Sequence, residues 1–469
     1  MGLEVEHVFP LWFLFDPRCE AFSGKEQMTL LRNVTVVTLN ERREIVSNAA
    51  IKIDETKIKS IGKASEYPPS EDELDCNGLI AIPGLIDTHS HADQSLLRGL
   101  GDQMHWVPFL EKVVDPYLVR RSQSQSLLAN QLSMVEMLKG GTTCVVSPNT
   151  DPSDNMNALM DAASEIGIRA TFCRFTTAED NWTELKGLLK EWRSKKSDFS
   201  NVWIGVDIPR ISGDDSHPEF YRRVKRESED LGIGLVYHFC SEYEDAAFMV
   251  NEFSQTPGEW SLSNGLLGSN VILINGCQVT AREIEILSET RTHLSHSPVA
   301  NMKMATGVLP AADVLHAGVN LGLGTDGALN NNSYDMFLEM KCACLLQNSL
   351  KRAPRALLPE QALEMATING AKALGREDLG SLEPGKKADI VLLDLDDPRT
   401  QPVHDLVSNI VFSSSARQVR HVFVNGRQVV DNYEVKGVSE EQLISSVKAE
   451  ARGIRDLIGA TSASRWPTI

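Results

Sequence analysis

The sequence predicts an α/β protein whose central part is a closed (β/α)8 barrel, and three observations carry that expectation. Between residues 83 and about 375, short apolar strands alternate with longer helical patterns: TTCVVSP, a helix near 153–166, RATFCRF, a helix near 181–196, VWIGVDI, a helix near 217–231, and GLVYHFC. That alternation is the mark of a parallel sheet covered by helices, and its repeat count over about 290 residues suits eight strands. Several histidines and carboxylates fall at the ends of these strands, the face on which a barrel carries its chemistry.

The flanks have a different character. From residue 29 to 82, short β-branched runs (LLRNVTVVTL, AAIKI, KIKSIG) are separated by polar turns, which reads as antiparallel strands. The same character returns near the C-terminus in ADIVLLD (388–394) and VRHVFVNGRQVV (419–430), where Asn425-Gly426 is a hairpin turn. A helical stripe of Leu443, Val447, Ala451, Ile454 and Leu457 follows. The apolar run VFPLWFLF (8–15) resembles the core of a secretory leader, but Glu4 and Glu6 stand where a basic segment is required and Pro10 interrupts it. Residues 1–27 are therefore read as an extension.

Composition removes several function classes. The chain has 469 residues, 42% hydrophobic and 23% charged, which suits a large globular core. A formal charge of -18 offers no basic surface for phosphates, so nucleic acid is not expected as a partner. No stretch reaches the roughly 20 apolar residues of a membrane span. The eight cysteines include no C-x-x-C pair and read as reduced core thiols, so a cytoplasmic location is expected.

The strongest local motif is PGLIDTHSH (83–91). Residues i and i+2 of a strand face the same side, so His89 and His91 can reach one metal ion from a single rigid element. His238, ending GLVYH, and Asp326, in VNLGLGTDG, complete a set of three imidazoles and a carboxylate suited to Zn2+ or Fe2+. A lone histidine at a strand end is more often a hydrogen-bonded core residue; four such groups at the ends of different strands are harder to obtain by accident.

At these residues the chain resembles the amidohydrolase superfamily, in particular the branch of methylthioadenosine/S-adenosylhomocysteine deaminases, guanine deaminase and triazine chlorohydrolases. The resemblance covers about residues 28–435 and is carried by PGLIDTHSHADQSLLRGL (83–100), EMLKGGTTCV (136–145), SHSPVANMKM (295–304), GVNLGLGTDGALNNNSYDMFLEM (318–340), MATINGAKALG (365–375) and LGSLEPGKKADIVLLD (379–394). It implies a barrel over 83–379, a small β-sandwich built from 28–82 and 380–435, a C-terminal helix and tail over 436–469, and a homodimer. It also implies one divalent metal, Zn2+ ahead of Fe2+, because binuclear members need a bridging lysine that VWIGVDI lacks. In the family the metal activates a water, the Asp after strand 8 (here Asp326) takes part in proton transfer, a Glu three residues after the strand 5 His passes a proton to the leaving group, and a His after strand 6 orients the water.

The chain departs from that pattern at three places. After His238 it reads FCSEYED, so Ser241 holds the family's Glu position and Glu242 follows one residue late. Successive residues of an extended segment point opposite ways, so Glu242 can serve only if a bulge or loop turns it inward. Asn275, in LINGC, stands where the family has its strand 6 His, and Asn lacks a pKa useful for acid–base work. VDIPRISGDD (206–215) replaces a PHAPY-like segment, with Arg210 a candidate for an anionic or carbonyl group. Trp106 and Phe109 fall where relatives place apolar substrate contacts, and His296 and Asn301 match the strand 7 motif as further substrate-binding candidates.

The expected function is metal-dependent hydrolysis of a C–N bond in a cyclic small molecule, other than standard adenosine-type deamination. Asp326 would act as base, with Glu242, Ser241 and Asn275 the remaining catalytic candidates. The alternative is a repurposed enzyme using the metal as a Lewis acid for cyclisation, hydration or elimination. A third reading is a non-catalytic metal-binding relative.

Overall fold

The computed structural model describes residues 28–149, 153–178, 180–209 and 218–459. Eight parallel strands run in chain order around the barrel: Leu85–Asp87, Thr142–Asn149, Arg169–Phe175, Ser200–Gly205, Leu235–Phe239, Val271–Asn275, His293–His296 and Leu321–Leu323. Each pairs in parallel with the next. The seam between the eighth strand and the first closes through Thr88, whose backbone N–H and Oγ1–H both donate to the Leu323 carbonyl at 2.8 Å. A short parallel pair, Ser90–His91 against Asp326–Gly327, continues the closure toward the mouth. Closing the ring in this way brings the HxH segment beside Asp326.

Helices follow the strands as the periodicity predicts: Ser153–Ile166, Trp182–Ser194 and Pro218–Leu231 come after the second, third and fourth strands. The helix Gln123–Lys139 starts at a Ser122–Gln125 capping box, which satisfies two N-terminal donors.

Strands from both ends of the chain form one continuous nine-stranded sheet. Leu79–Pro83 pairs antiparallel with Ile390–Asp394, which joins the N-terminal strands to the C-terminal ones. The strand Ile390–Asp394 shows why its sequence is apolar throughout: Ile390 and Leu392 pack with Leu31, Ile51 and Phe423, while Val391 and Leu393 belong to the main core. Alternate side chains therefore enter two different apolar clusters. Asn425 and Gly426, at φ 55° and 79°, make the hairpin turn between Val419–Val424 and Arg427–Asp431.

The C-terminal helix runs from Glu440 to Ile458 and buries Leu443, Ile454 and Ile458. Ala451, assigned to the apolar stripe from the sequence, is exposed, because the buried face drifts to Ile458 over the last two turns. No described helix is long and apolar enough to cross a membrane. The described cysteines are all unpaired thiols, and all but Cys342 are buried.

Candidate functional site

The barrel mouth gathers the predicted ligands. His89 and His91 follow the first strand, His238 lies on the fifth, and the ligand atoms of the three imidazoles are within 4.8 Å of one another. Asp326 Oδ1 lies 3.4 Å from His89 Nε2 and 3.6 Å from His91 Nε2. His89 is fully buried and neither of its ring nitrogens makes a hydrogen bond. Buried polar atoms are almost always satisfied, so an orphaned Nε2 beside a carboxylate and clustered with two more imidazoles fits a divalent cation. Burial lowers the pKa of both His89 and His91, which favours the neutral form that binds metal. Burial pushes the Asp326 carboxyl up, but His89 and His91 outweigh it and hold it below the usual range.

Residues without a predicted role hold this arrangement. Asp207 Oδ1 lies 2.8 Å from His238 Nδ1, so the imidazole donates there and presents Nε2 to the ligand cluster. Asp87 is fully buried, with its pKa raised to about 7 by desolvation against hydrogen bonds from Thr325 and the His89 backbone. It accepts from His89 N and Thr325 N at 3.1 Å each, which ties the HxH segment to the strand 8 turn. Gly324 lies against His89: a Cβ there would stand 2.7 Å from the His89 carbonyl oxygen and 2.9 Å from its Cβ. Both aspartates were open to discovery in the sequence. Asp87 sits two residues before His89, and Asp207 follows the fourth strand.

A cavity of about 260 Å3 opens above the cluster, lined among others by His91, His238, Asp326, Ser241, Glu242, Asn275 and Asn301. One wall is apolar: Trp106, Phe109, Leu110, Val114 and Leu118 come from the helical stretch 106–120, facing Phe175 and Met304. The residues Leu110–Val114 form a wide turn in that stretch, a feature common beside functional sites.

The turn after the fifth strand answers the register problem. Cys240 adopts φ 47°, a left-handed conformation unusual for a residue with a Cβ, and breaks the alternation that would send Ser241 and Glu242 to opposite sides. Both now line the cavity, and Glu242 precedes the helix Tyr243–Phe253 as its N-cap. The sixth strand ends in a similar way, with Asn275 at φ 77° and Gly276 at φ 75°. Asn275 Nδ2 donates to Ser241 Oγ at 3.0 Å, and Asn301 Nδ2 donates to Asn275 Oδ1 at 3.0 Å.

The remaining candidates divide. Trp106 and Phe109 line the cavity, whereas His296 is fully buried, is not among the lining residues, and has its pKa pushed down to about 3 by desolvation. His293, outside the strand 7 motif, bonds Ser269 O through Nε2 and accepts from Asn320 through Nδ1, a structural role. Arg210 lies outside the described residues.

Residues 80–429 match the model of the amidohydrolase family. The chain is 30% identical over 427 residues to a 5-methylthioadenosine/S-adenosylhomocysteine deaminase of Moorella thermoacetica, covering 89% of this chain and 97% of the relative. It is 32% identical over 429 residues to a 5'-deoxyadenosine deaminase of Methanosarcina acetivorans, covering 90% and 97%. Among solved structures, an adenosine deaminase from Xanthomonas campestris with bound zinc aligns with a TM-score of 0.84 at 27% identity, over 92% of this chain and 98% of that one. An atrazine chlorohydrolase from Arthrobacter aurescens complexed with zinc aligns at 0.83 and 24% identity, over 90% and 100%, a likeness of fold. By its barrel, its cluster of three histidines and a carboxylate, and this match over most of its length, the chain belongs to the amidohydrolase family.

Proposed function

We propose that this protein is a metal-dependent hydrolase that cleaves a C–N bond of a cyclic small molecule, by deamination or amide opening. The observation that carries the reading is His89, buried with its Nε2 orphaned beside Asp326 and clustered with His91 and His238. One Zn2+ ion fits this donor set, and the fourth barrel strand, Ser200–Gly205, offers no lysine to bridge a second metal. The ion supplies Lewis acidity and a water activated near neutral pH. Asp326 would hold one proton at its carboxylate, and Glu242, turned into the cavity at Cys240, would pass one to the leaving nitrogen.

The reaction class is supported by the relatives, which are named as deaminases of adenine nucleosides. Ser241 and Asn275 argue for a substrate of another kind, because each proton-transfer group lost typically removes about 10²- to 10⁴-fold of rate. The same two residues favour a second reading, in which the metal polarises a carbonyl without hydrolysis.

The test is to incubate Zn2+-loaded protein in 18O-water with a panel of aminated heteroaromatic rings, cyclic amides and cyclic imides. Ammonia release or ring opening with one 18O in the product, abolished by chelation, is the expected result. A metal-dependent product without the label would replace hydrolysis with the second reading, and no product from fully loaded protein would favour a non-catalytic role.

A further inference from the structure

We infer that Ser241 is a fixed hydrogen-bond donor to the substrate, aimed by Asn275 and Asn301, and that it selects substrates carrying an acceptor atom, a carbonyl oxygen or an unprotonated ring nitrogen, beside the reacting carbon. The inference rests on the reading of the mouth as a metal-dependent hydrolytic site.

The three residues form a chain with one direction. Asn301 Nδ2 donates to Asn275 Oδ1, and Asn275 Nδ2 donates to Ser241 Oγ, each at 3.0 Å. All three side chains are buried, so these bonds are not traded with bulk water. A serine hydroxyl has one proton and two lone pairs. With a lone pair occupied by Asn275, the proton of Ser241 is left to donate, and among the described residues it has no protein acceptor. Ser241 lines the cavity shared with His91, His238 and Asp326, so an acceptor on a bound molecule is the partner left for it.

The backbone keeps the chain in place. Gly276 N donates to Phe239 O at 2.8 Å and Gln278 N to Cys240 O at 2.9 Å, which locks the ends of the fifth and sixth strands together beyond the regular ladder. Asn275 holds a left-handed conformation that Asn tolerates better than most residues, and this turns its amide toward Ser241. Asn275 and Asn301 are positioning residues; Ser241 is the one that meets the ligand.

The test uses two small ligands of opposite hydrogen-bonding character on Zn2+-loaded protein. Acetohydroxamate is rich in acceptors, whereas imidazole bound through one nitrogen offers only a donor on its far side. By titration calorimetry, Ser241→Ala should weaken acetohydroxamate about 10-fold while leaving imidazole within about 2-fold, since a hydrogen bond to a charged acceptor is the interaction removed. Ser241→Thr, which keeps the hydroxyl, should restore most of the loss. Asn275→Leu and Asn301→Leu should each cost acetohydroxamate about 3-fold with Ser241 intact, because the hydroxyl is then free to turn away. Equal effects on both ligands, or none on acetohydroxamate, would overturn the donor assignment. Zinc content of the same samples separates the two claims: protein that takes up no zinc refutes the metal reading, and loaded protein indifferent to Ser241→Ala refutes the donor alone.

Discussion

The two ends of the barrel treat buried polar groups in opposite ways. At the bottom, Arg169 opens the third strand and is almost fully enclosed, yet its donors are matched: Nε and Nη2 bond Asp389 at 2.7 and 2.9 Å, Nη2 also bonds Asn425 Oδ1 at 3.2 Å, and Nη1 bonds Asp198 O. At the mouth, His89 is as deeply enclosed and has no hydrogen bond on either ring nitrogen. An unsatisfied buried polar group costs about 1–3 kcal/mol, and His296 is orphaned as well; what marks His89 as built for a ligand is that it stands beside two more histidines and a carboxylate. The bottom is finished by the chain itself, clasping the barrel to the sheet that carries Asn425. The mouth, in the reading proposed above, would be completed by the metal it binds.

The largest effect expected from breaking this contrast is at the mouth. Asp326→Ala removes the carboxylate that faces both His89 and His91, so zinc content measured by mass spectrometry should fall to near zero. The C–N hydrolysis found with the substrate panel should fall about 10⁴-fold or more, the loss of several kcal/mol of metal-derived stabilisation. Full zinc retention would show that the three histidines suffice. Glu242→Gln comes next: it keeps size and hydrogen bonding but cannot deliver a proton, so kcat should drop about 10²- to 10⁴-fold at unchanged zinc content. Unchanged kcat would pass the proton-donor role to solvent or substrate.

The same contrast explains what could be read in advance. Strand and helix alternation and the HxH pair are legible because a period or a fixed spacing encodes them, and Asp326 because it stands in one of the motifs that carry the family resemblance. The inward turn at Glu242 is not, because it depends on Cys240 entering a left-handed conformation that its residue type does not announce. Nor is the link from Asn301 to Asn275 to Ser241, whose members come from the helix Pro298–Met304, the end of the sixth strand and the turn after the fifth, and meet only in the folded barrel. His296 shows the limit in the other direction: its motif suggests a substrate contact, while the fold buries it fully, away from the residues that line the cavity.

At the bottom, Arg169→Leu should destabilise the protein by about 3–5 kcal/mol in denaturant unfolding, since it strands the buried Asp389 carboxylate without its cation. Zinc affinity of the folded variant should stay within about 2-fold, because Arg169 lies at the opposite end of the strands from the histidines. A large fall in zinc affinity would show that the two ends are coupled through the strands between them.

The smallest effect sharpens the comparison within the mouth itself. Asp207 acts through His238 by accepting from Nδ1, and its backbone-directed contact from His238 N at 3.3 Å holds it to the same strand end. Asp207→Asn keeps the shape but weakens the orientation and basicity of that imidazole, a change that typically costs about 10- to 100-fold in metal affinity. Competition with a chromophoric chelator measures it directly. If the loss is in that range while Asp326→Ala removes binding altogether, the mouth has the layered construction of a metal site, with ligands that bind and partners that aim them. If Asp207→Asn leaves affinity unchanged, His238 is aimed by the strand alone, and Asp207 is a wall of the cavity with no part in holding the metal.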